Sequence, residues 1–319
     1  MLIQILILAA GVAILAVGAD VFVRGACGIA ERLGMSPFVI GLVVVGFGTS
    51  TPELAVSVGA ALSGSTDIAV GNVVGSNIAN VGMILGLAAV VAPLAVRMRM
   101  VRVELPIMIG VSLLLWALAS FGVILLWEGV LLLAAFGVFM WFLLRTSKDE
   151  SKQVQDEYVA ENPKGKASWR SGLFIVLGLA GLIGGAQLAV ESATSLARLW
   201  GMSELLIGLT VVAVGTSLPE LASSAAAAYR GHADIAIGNV IGSNIYNILF
   251  ILGVSALVTP LPTTASTLMW LDIPVMIGFA VVLVPMMLMG LKITRANGVF
   301  LLLAYAAYIA VQLQVSSGG

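Results

Sequence analysis

The sequence predicts an all-α membrane protein, with ten transmembrane helices arranged as two inverted five-helix repeats. Three observations carry that expectation. Of 319 residues, 60% are hydrophobic and only 10% are charged, with a mean hydropathy of +1.12; a soluble domain carries roughly 25% charged residues. A spanning helix needs about 20 apolar residues, and about ten such stretches follow one another. Residues 34–93 also align without a gap onto 201–260 at a constant offset of 167, and 36 of the 60 positions are identical.

In chain order the expected spans are 3–30, 37–62, 67–92, 104–122 and 125–145, then 171–198, 204–229, 234–259, 268–290 and 296–314. The first, LIQILILAAGVAILAVGA, has the apolar run of a signal peptide but lacks a basic n-region. Its VGAD (17–20) also matches GGAQ (184–187), so it is the counterpart of an internal span. The second and third spans carry the gapless repeat. ELPIMIG (104–110) matches DIPVMIG (272–278) after a one-residue slip, which extends the similarity into the fourth and ninth. The expected units are therefore a first five-helix repeat, 1–146, a cytoplasmic linker, 147–170, and a second repeat, 171–319. SKDESKQVQDEYVAENPKGKAS, within the linker, is polar and mixed in charge. It is expected to be partly disordered, with room for one short amphipathic helix and no site.

Five spans is an odd number, so the second copy enters the membrane inverted. Alternate loops fall on two sides. The side opposite the termini holds Arg32, Arg97, Arg99, Arg102, Arg145, Lys148, Lys152, Lys164, Lys166, Arg170, Arg230, Lys292 and Arg295, against Arg198 alone, with Arg24 inside span one. Basic residues gather on the cytoplasmic side. Both termini are therefore expected outside, in a multi-pass protein of the cell (plasma or inner) membrane.

The chemistry lies in GTSTPEL (48–54) and GTSLPEL (215–221), each inside an apolar span. Pro52 and Pro219 lack an N–H and clash with the carbonyl four residues back, so both helices should kink or break. Gly46 and Gly48 loosen the same turn. Freed carbonyls are tolerated in lipid only where they line a cavity or are buried in protein. Carbonyl oxygens, the hydroxyls of Thr49 and Ser50, and the carboxylate of Glu53 then crowd one short region. Thr216, Ser217 and Glu220 repeat the set. Glu53 stands at i, i+4 from Thr49 and i, i+3 from Ser50, on their face. These are hard oxygens, suited to calcium, sodium or magnesium. Two carboxylates brought together give a charge of about −2, matched to one divalent cation.

The next span of each half supplies GNVVGSNIAN and GNVIGSNIYN. Ser76 and Asn80 share one helix face, as do Ser243 and Asn247, and these four are assigned to cation coordination. Asn72, Asn77, Asn239 and Asn244 suit interhelical hydrogen bonds equally well. Glycines 71, 75, 238 and 242 allow close helix approach. Asp67 and Asp234 read as N-caps. Asp20 and Arg24 are expected to pair; Glu191, with Arg198 two turns on, has no assigned role.

Composition also excludes chemistry. The chain has one cysteine, Cys27, and one histidine, His232. Disulfides within the chain, cysteine metal clusters and histidine-based catalysis in the membrane have no material, so the protein is not expected to be an enzyme. No cofactor, nucleic-acid partner or obligate protein partner is expected; the partners are inorganic cations and the lipid bilayer.

GTSTPE with GSNIAN, then GTSLPE with GSNIYN, resembles the cation/calcium antiporter superfamily, and within it the sodium/calcium exchangers of prokaryotic type. The resemblance implies the sodium/calcium exchanger fold and calcium moving against sodium by alternating access. It places calcium ligands on Glu53, Glu220, Thr49 and Thr216. It places sodium ligands on Ser50, Ser76, Ser217, Ser243, both glutamates and the backbone carbonyls of Gly46 and Ala213. The central polar pair falls on Asn80 and Asn247. Some prokaryotic relatives carry an aspartate at the position of Asn247, so this chain lacks a possible third negative charge there. The proton/calcium branch carries a glutamate in GNxxE, which GNVVG and GNVIG lack. Calcium/proton or potassium-linked exchange by the same fold, and a passive cation channel, are the competing readings.

Overall fold

In the computed structural model, residues 1–33, 37–161, 169–200, 213–264 and 267–317 are described. The first half comprises α1 (Leu2–Leu33), α2 (Phe38–Thr49), α3 (Thr51–Leu62), α4 (Thr66–Val91), α5 (Met100–Ala119) and α6 (Leu126–Glu161). The second comprises α7 (Trp169–Leu199), α8 (Ala213–Thr216), α9 (Leu218–Tyr229), α10 (Ala233–Val258), α11 (Leu268–Leu288) and α12 (Arg295–Ser317). Among the described residues, eight helices are long and apolar enough to cross a membrane, and α2 with α3 makes a ninth span, bent by 45°. The tenth span of the repeat, 204–229, is described only from Ala213, and the expected residues 204–212 lie outside the described part.

The layers follow from apolarity. The GN-containing helices α4 and α10 bury 78% and 83% of their most apolar windows, whereas α1, α6, α7 and α12 bury 28% or less. α4 and α10 therefore form the centre and the others face lipid. One-turn widenings of the helix occur in α2, α4 and α10, at 41–45, 80–85 and 247–252, and at the starts of α5 and α11, at 100–104 and 268–272. Outside the centre, α1 and α7 pack along their whole length through glycines. Gly18 lies against Gly181, and a Cβ on Gly178 would stand 2.5 Å from the backbone nitrogen of Phe22. Helices come this close in lipid only where side chains are absent. α1, at 32 residues, spans about 48 Å and outruns a hydrocarbon core of about 30 Å.

Two short ribbons tie the halves. β1 (Leu94–Ala95) pairs antiparallel with β4 (Lys292–Ile293), and β2 (Val123–Ile124) with β3 (Leu261–Pro262). Alternation of five spans per half puts β1 and β4 on one side and β2 and β3 on the other, so each ribbon joins loops of one side. The inverted arrangement is thus visible in the backbone.

Two expectations change. Asp67 and Asp234 are not N-caps: Ser65 and His232 hold those positions, and both acids lie in the first helical turn. Asp234 instead pairs with Arg97 of the other half at 2.7 Å. The fifth span ends where expected, at Thr146, but its helix continues through the linker to Glu161, along a stretch without glycine or proline. Only 162–168 of the linker lie outside the described residues. The expected Asp20–Arg24 pair forms at 2.8 Å, and Arg230 from the second half joins it.

The glycine-packed α1–α7 contact generates a prediction. Gly178→Ala drives a methyl into the backbone of Phe22 and should destabilise the protein by about 1–3 kcal/mol. Gly110→Ala, whose Cβ position meets no described atom within 4 Å, should be neutral. Thermal unfolding in detergent compares the two; equal stability would refute the packing.

Candidate cation site at the repeat interface

The site begins with a failure of helix. Ser50 ends α2 and starts α3 at φ −81°, ψ 11°, and Ser217 does the same between α8 and α9 at φ −89°, ψ 6°. Pro52 and Pro219 each take the second position of the following helix. There the missing N–H is harmless to the new helix, while the carbonyls four residues back, on Gly48 and Gly215, lose their helical donor. The sequence-derived break is therefore present in both copies. Glu53 and Glu220 follow in the first turn of α3 and α9, where the positive end of the helix dipole favours a carboxylate.

The inverted packing then brings the breaks face to face. Ser50 Oγ donates to Glu220 Oε1 at 2.9 Å and lies 3.0 Å from Ser243 Oγ. Reciprocally, Ser217 Oγ donates to Glu53 Oε1 at 3.4 Å. Each serine thus reaches the carboxylate of the opposite half. Thr49 Oγ1 has two acceptors in reach, the Val45 carbonyl at 2.9 Å and Asn239 Oδ1, from the second half, at 3.2 Å. Glu53 and Glu220 are 1% and 2% exposed, and neither makes an ion pair among the described residues. Their Oε2 atoms and Asn247 Oδ1 are buried without a hydrogen-bond donor. Two of these three bare acceptor oxygens are carboxylate, and hard oxygens of this kind are the chemistry that calcium and sodium take.

The remaining assigned residues distribute as follows. Ser76 is buried on α4, and Thr216 is half-buried at the end of α8. The Gly46 carbonyl accepts the Ser50 N–H at 3.1 Å, and a Cβ on Gly46 would stand 3.2 Å from the Ser243 nitrogen, so the bare backbone lets α10 come close. Ala213 opens α8, and its side chain lies outside the described part. Gly238 and Gly242 press α10 against Phe38 and Leu42 of α2; the residues expected to face Gly71 and Gly75, near 205–209, are outside the described part. Glu191 is exposed on α7.

The asparagines build a second layer. Asn72 Nδ2 donates to the Glu53 carbonyl at 3.2 Å and Ser57 Oγ at 2.8 Å. Asn239 Nδ2 reaches the Glu220 carbonyl at 3.4 Å, Ser223 Oγ at 3.2 Å and Ser224 Oγ at 2.8 Å. Each asparagine thereby pins the turn that carries its glutamate. At the centre, Asn80 Nδ2 donates to Asn244 Oδ1 and Asn247 Nδ2 to Asn77 Oδ1, both at 3.0 Å. Asn77 also donates to the Asn244 carbonyl at 3.3 Å, and Asn244 Nδ2 reaches the Met108 sulfur at 3.4 Å. The amide nitrogens of Asn80 and Asn247 are therefore committed to a clasp between the halves, which leaves only their oxygens for a cation. Ser57, Ser224 and the thioethers of Met108 and of Met276, which lies 3.7 Å from Asn77 Nδ2, were missed from the sequence, although their only signal, equivalent positions in the two halves, was there.

Comparison with known proteins follows this geometry. The family model described as sodium/calcium exchanger protein matches residues 3–145 and 170–314. The chain belongs to the sodium/calcium exchanger family. It is 40% identical over 313 residues to a "Putative antiporter CaxA" of Alkalimonas amylolytica, covering 97% of this chain and 98% of that protein. It is 36% identical over 345 residues to the "Sodium/calcium exchanger MaX1" of Methanosarcina acetivorans, again covering 97% and 98%. A solved structure of the sodium-calcium exchanger NCX_Mj, soaked with sodium and calcium, superposes with a TM-score of 0.83 at 31% identity, over 97% of this chain and 98% of that one. The fold is the exchanger fold, and the protein is a multi-pass membrane antiporter of the exchanger type, not an enzyme.

The clasp is testable apart from transport. Asn77→Leu removes the acceptor of the Asn247 amide and strands a buried donor, which should cost about 1–3 kcal/mol. Ser120→Ala, which loses only an exposed hydroxyl contact to the Ala117 carbonyl, should cost little. Chemical unfolding in micelles measures both, and an unchanged Asn77→Leu would remove the clasp as a stabilising element.

Proposed function

We propose that this exchanger carries calcium against sodium through overlapping sites at the repeat interface, by alternating access. The observation that carries the reading is the reciprocal serine–glutamate contact between halves: two buried carboxylates, each held by the opposite repeat, with bare Oε2 atoms and no basic partner among the described residues. Calcium is assigned to Glu53, Glu220, Thr49 and Thr216. One calcium cancels the pair's charge of about −2, and its 6–8 oxygen ligands are supplied by carboxylates, hydroxyls and carbonyls. Sodium is assigned to Ser50, Ser76, Ser217 and Ser243 with the Gly46 and Ala213 carbonyls, sharing both glutamates. Asn80 and Asn247 contribute their side-chain oxygens at the centre. Because the two ions need the same carboxylates, they compete. An empty site would leave both charges uncompensated in lipid, so switching while empty is disfavoured and the two fluxes are coupled. The names of MaX1 and NCX_Mj, as sodium/calcium exchangers, support the choice of ions.

Residues 1–146 and 171–319 are assigned as the two inverted halves, and 147–170 as their cytoplasmic connection. The excess of lysine and arginine in the loops of that side supports a topology with both termini outside.

Two experiments test these readings. Proteoliposomes loaded with sodium and diluted into sodium-free buffer should take up labelled calcium; loading with potassium, or a pH gradient alone, should not drive uptake. Glu53→Gln and Glu220→Gln should abolish uptake while protein remains in the membrane, and normal sodium-driven flux in both variants would refute the site. For sidedness, single cysteines at Ser63 and Lys292 in a Cys27→Ser background should divide under an impermeant maleimide applied to intact cells. Ser63 should label and Lys292 should not; the reverse pattern would invert the topology.

A further inference from the structure

The inverted repeat provides an internal comparison at the entry to its fourth helix. Glu104 and Asp272 occupy equivalent positions in ELPIMIG and DIPVMIG. Glu104 is buried and paired with Arg99 at 3.1 Å. Asp272, at the start of α11, makes none of the ion pairs found among the described residues. Its carboxylate accepts hydrogen bonds from Thr267 Oγ1 at 2.7 Å, from Tyr308 OH at 2.9 Å and from the Gln312 amide. All three donors are neutral, so they orient the negative charge without cancelling it.

Tyr308 belongs to a second feature. Between α11 and α12 lies an apolar crevice of about 580 Å³, with Trp270, Pro274, Gly278, Phe300, Ala304 and Tyr308 on its walls. Its α11 wall runs from Trp270 to Val282, about 18 Å of helix. α11 and α12 bury only 39% and 11% of their most apolar windows, so the crevice opens to lipid. Trp270, 60% exposed, marks the mouth, and tryptophan concentrates at headgroup depth. An apolar slot of acyl-chain dimensions thus ends beside an oriented, uncancelled carboxylate at the membrane surface.

We propose that this crevice binds an aminophospholipid of the ethanolamine class, with one acyl chain between α11 and α12 and its primary ammonium on Asp272. The choice follows from charge and donors. A primary ammonium brings both a positive charge and N–H groups. A choline headgroup has the charge but no N–H, and an anionic glycerol headgroup is repelled by the carboxylate. Thr267, Tyr308 and Gln312 act on the lipid through Asp272, as positioning residues. The inference does not depend on the ion assignments above, because neither the crevice nor Asp272 touches Glu53 or Glu220.

Native mass spectrometry of the purified full-length protein, exposed to equal amounts of phosphatidylethanolamine, phosphatidylcholine and phosphatidylglycerol of the same acyl chains, tests it. The wild-type protein should retain the ethanolamine lipid preferentially. Asp272→Asn should lower that retention about tenfold, toward the choline level, the loss expected for a charged hydrogen bond. Gly278→Leu, which fills the slot, should lower retention of all three. Equal retention of the three lipids by the wild-type protein would overturn the proposal without recourse to any variant. So would unchanged ethanolamine-lipid retention in a folded Asp272→Asn protein. Cysteine cross-linking at Ala304 between two copies in an ethanolamine-lipid bilayer would also overturn it, by showing the crevice covered by a second chain.

Discussion

Everything central to this molecule is arranged around two carboxylates that have no business in a bilayer. A charge at the bilayer centre costs at least ~2.5–3.5 kcal/mol, and two facing carboxylates repel besides. The protein supplies no arginine or lysine partner among the described residues. It supplies instead a helix break on each side, a helix N-terminus behind each glutamate, and a serine from the opposite repeat on each carboxylate. These partial compensations hold the oxygens in place without satisfying them. Had Glu53 met an arginine, the charge would be quenched and there would be nothing left for a cation to neutralise. The unfinished electrostatics are what the proposed cation site rests on.

That arrangement dictates the rest of the core. The two breaks can face each other only if the central helices pass close by, and they do so through bare backbone. Gly238 and Gly242 press against Phe38 and Leu42, and Gly46 lets α10 approach at Ser243. The polar groups this brings together must be satisfied internally, since lipid offers no donors. Asparagine does this with both a donor and an acceptor and adds no charge. Asn72 and Asn239 fix the glutamate-bearing turns, and Asn77, Asn80, Asn244 and Asn247 close the clasp. Two neutral layers therefore confine the charge to the two glutamates.

Much of this was legible in the sequence because it is periodic or repeated. Hydropathy gave the spans, proline with glycine gave the breaks, and the 167-residue offset paired Glu53 with Glu220. What stayed hidden was whatever depends on contacts without a local pattern. The pairing of Asp234 with Arg97, and of Arg230 with Asp20, joins residues from opposite halves that no spacing links. The assignment of Asp67 and Asp234 as caps failed because one residue of boundary error separates a cap from a first turn. The continuation of α6 to Glu161 was obscured because a polar helix beyond a span and a polar linker have the same composition. The division of labour among the asparagines could not be read at all, since one residue type serves equally as ligand and as clasp until the helix crossing is known.

The repeat also shows where the two halves have ceased to be equivalent. Phe47, Tyr246 and Phe250 cluster beside the site at centroid distances of 4.9 Å, Phe47 tilted against Tyr246 and Tyr246 stacked on Phe250, and Phe136 joins at 5.2 Å from Phe250. Their counterparts by offset are Val214, Ala79 and Met83, so the aromatic cluster exists on one flank only. Glu104 has its arginine, and Asp272 makes none of the ion pairs found among the described residues. An inverted repeat needs symmetry at the ion, because the same site must serve both faces of the membrane. It needs none at the periphery, where the two faces meet different lipids, different loops and different charge. Thr49, Ser50, Glu53, Asn72, Ser76, Asn77 and Asn80 all recur unchanged in the second half, whereas the aromatic flank and Gly46, whose counterpart by offset is Ala213, differ. That distribution is what a single shared site between two inverted halves requires.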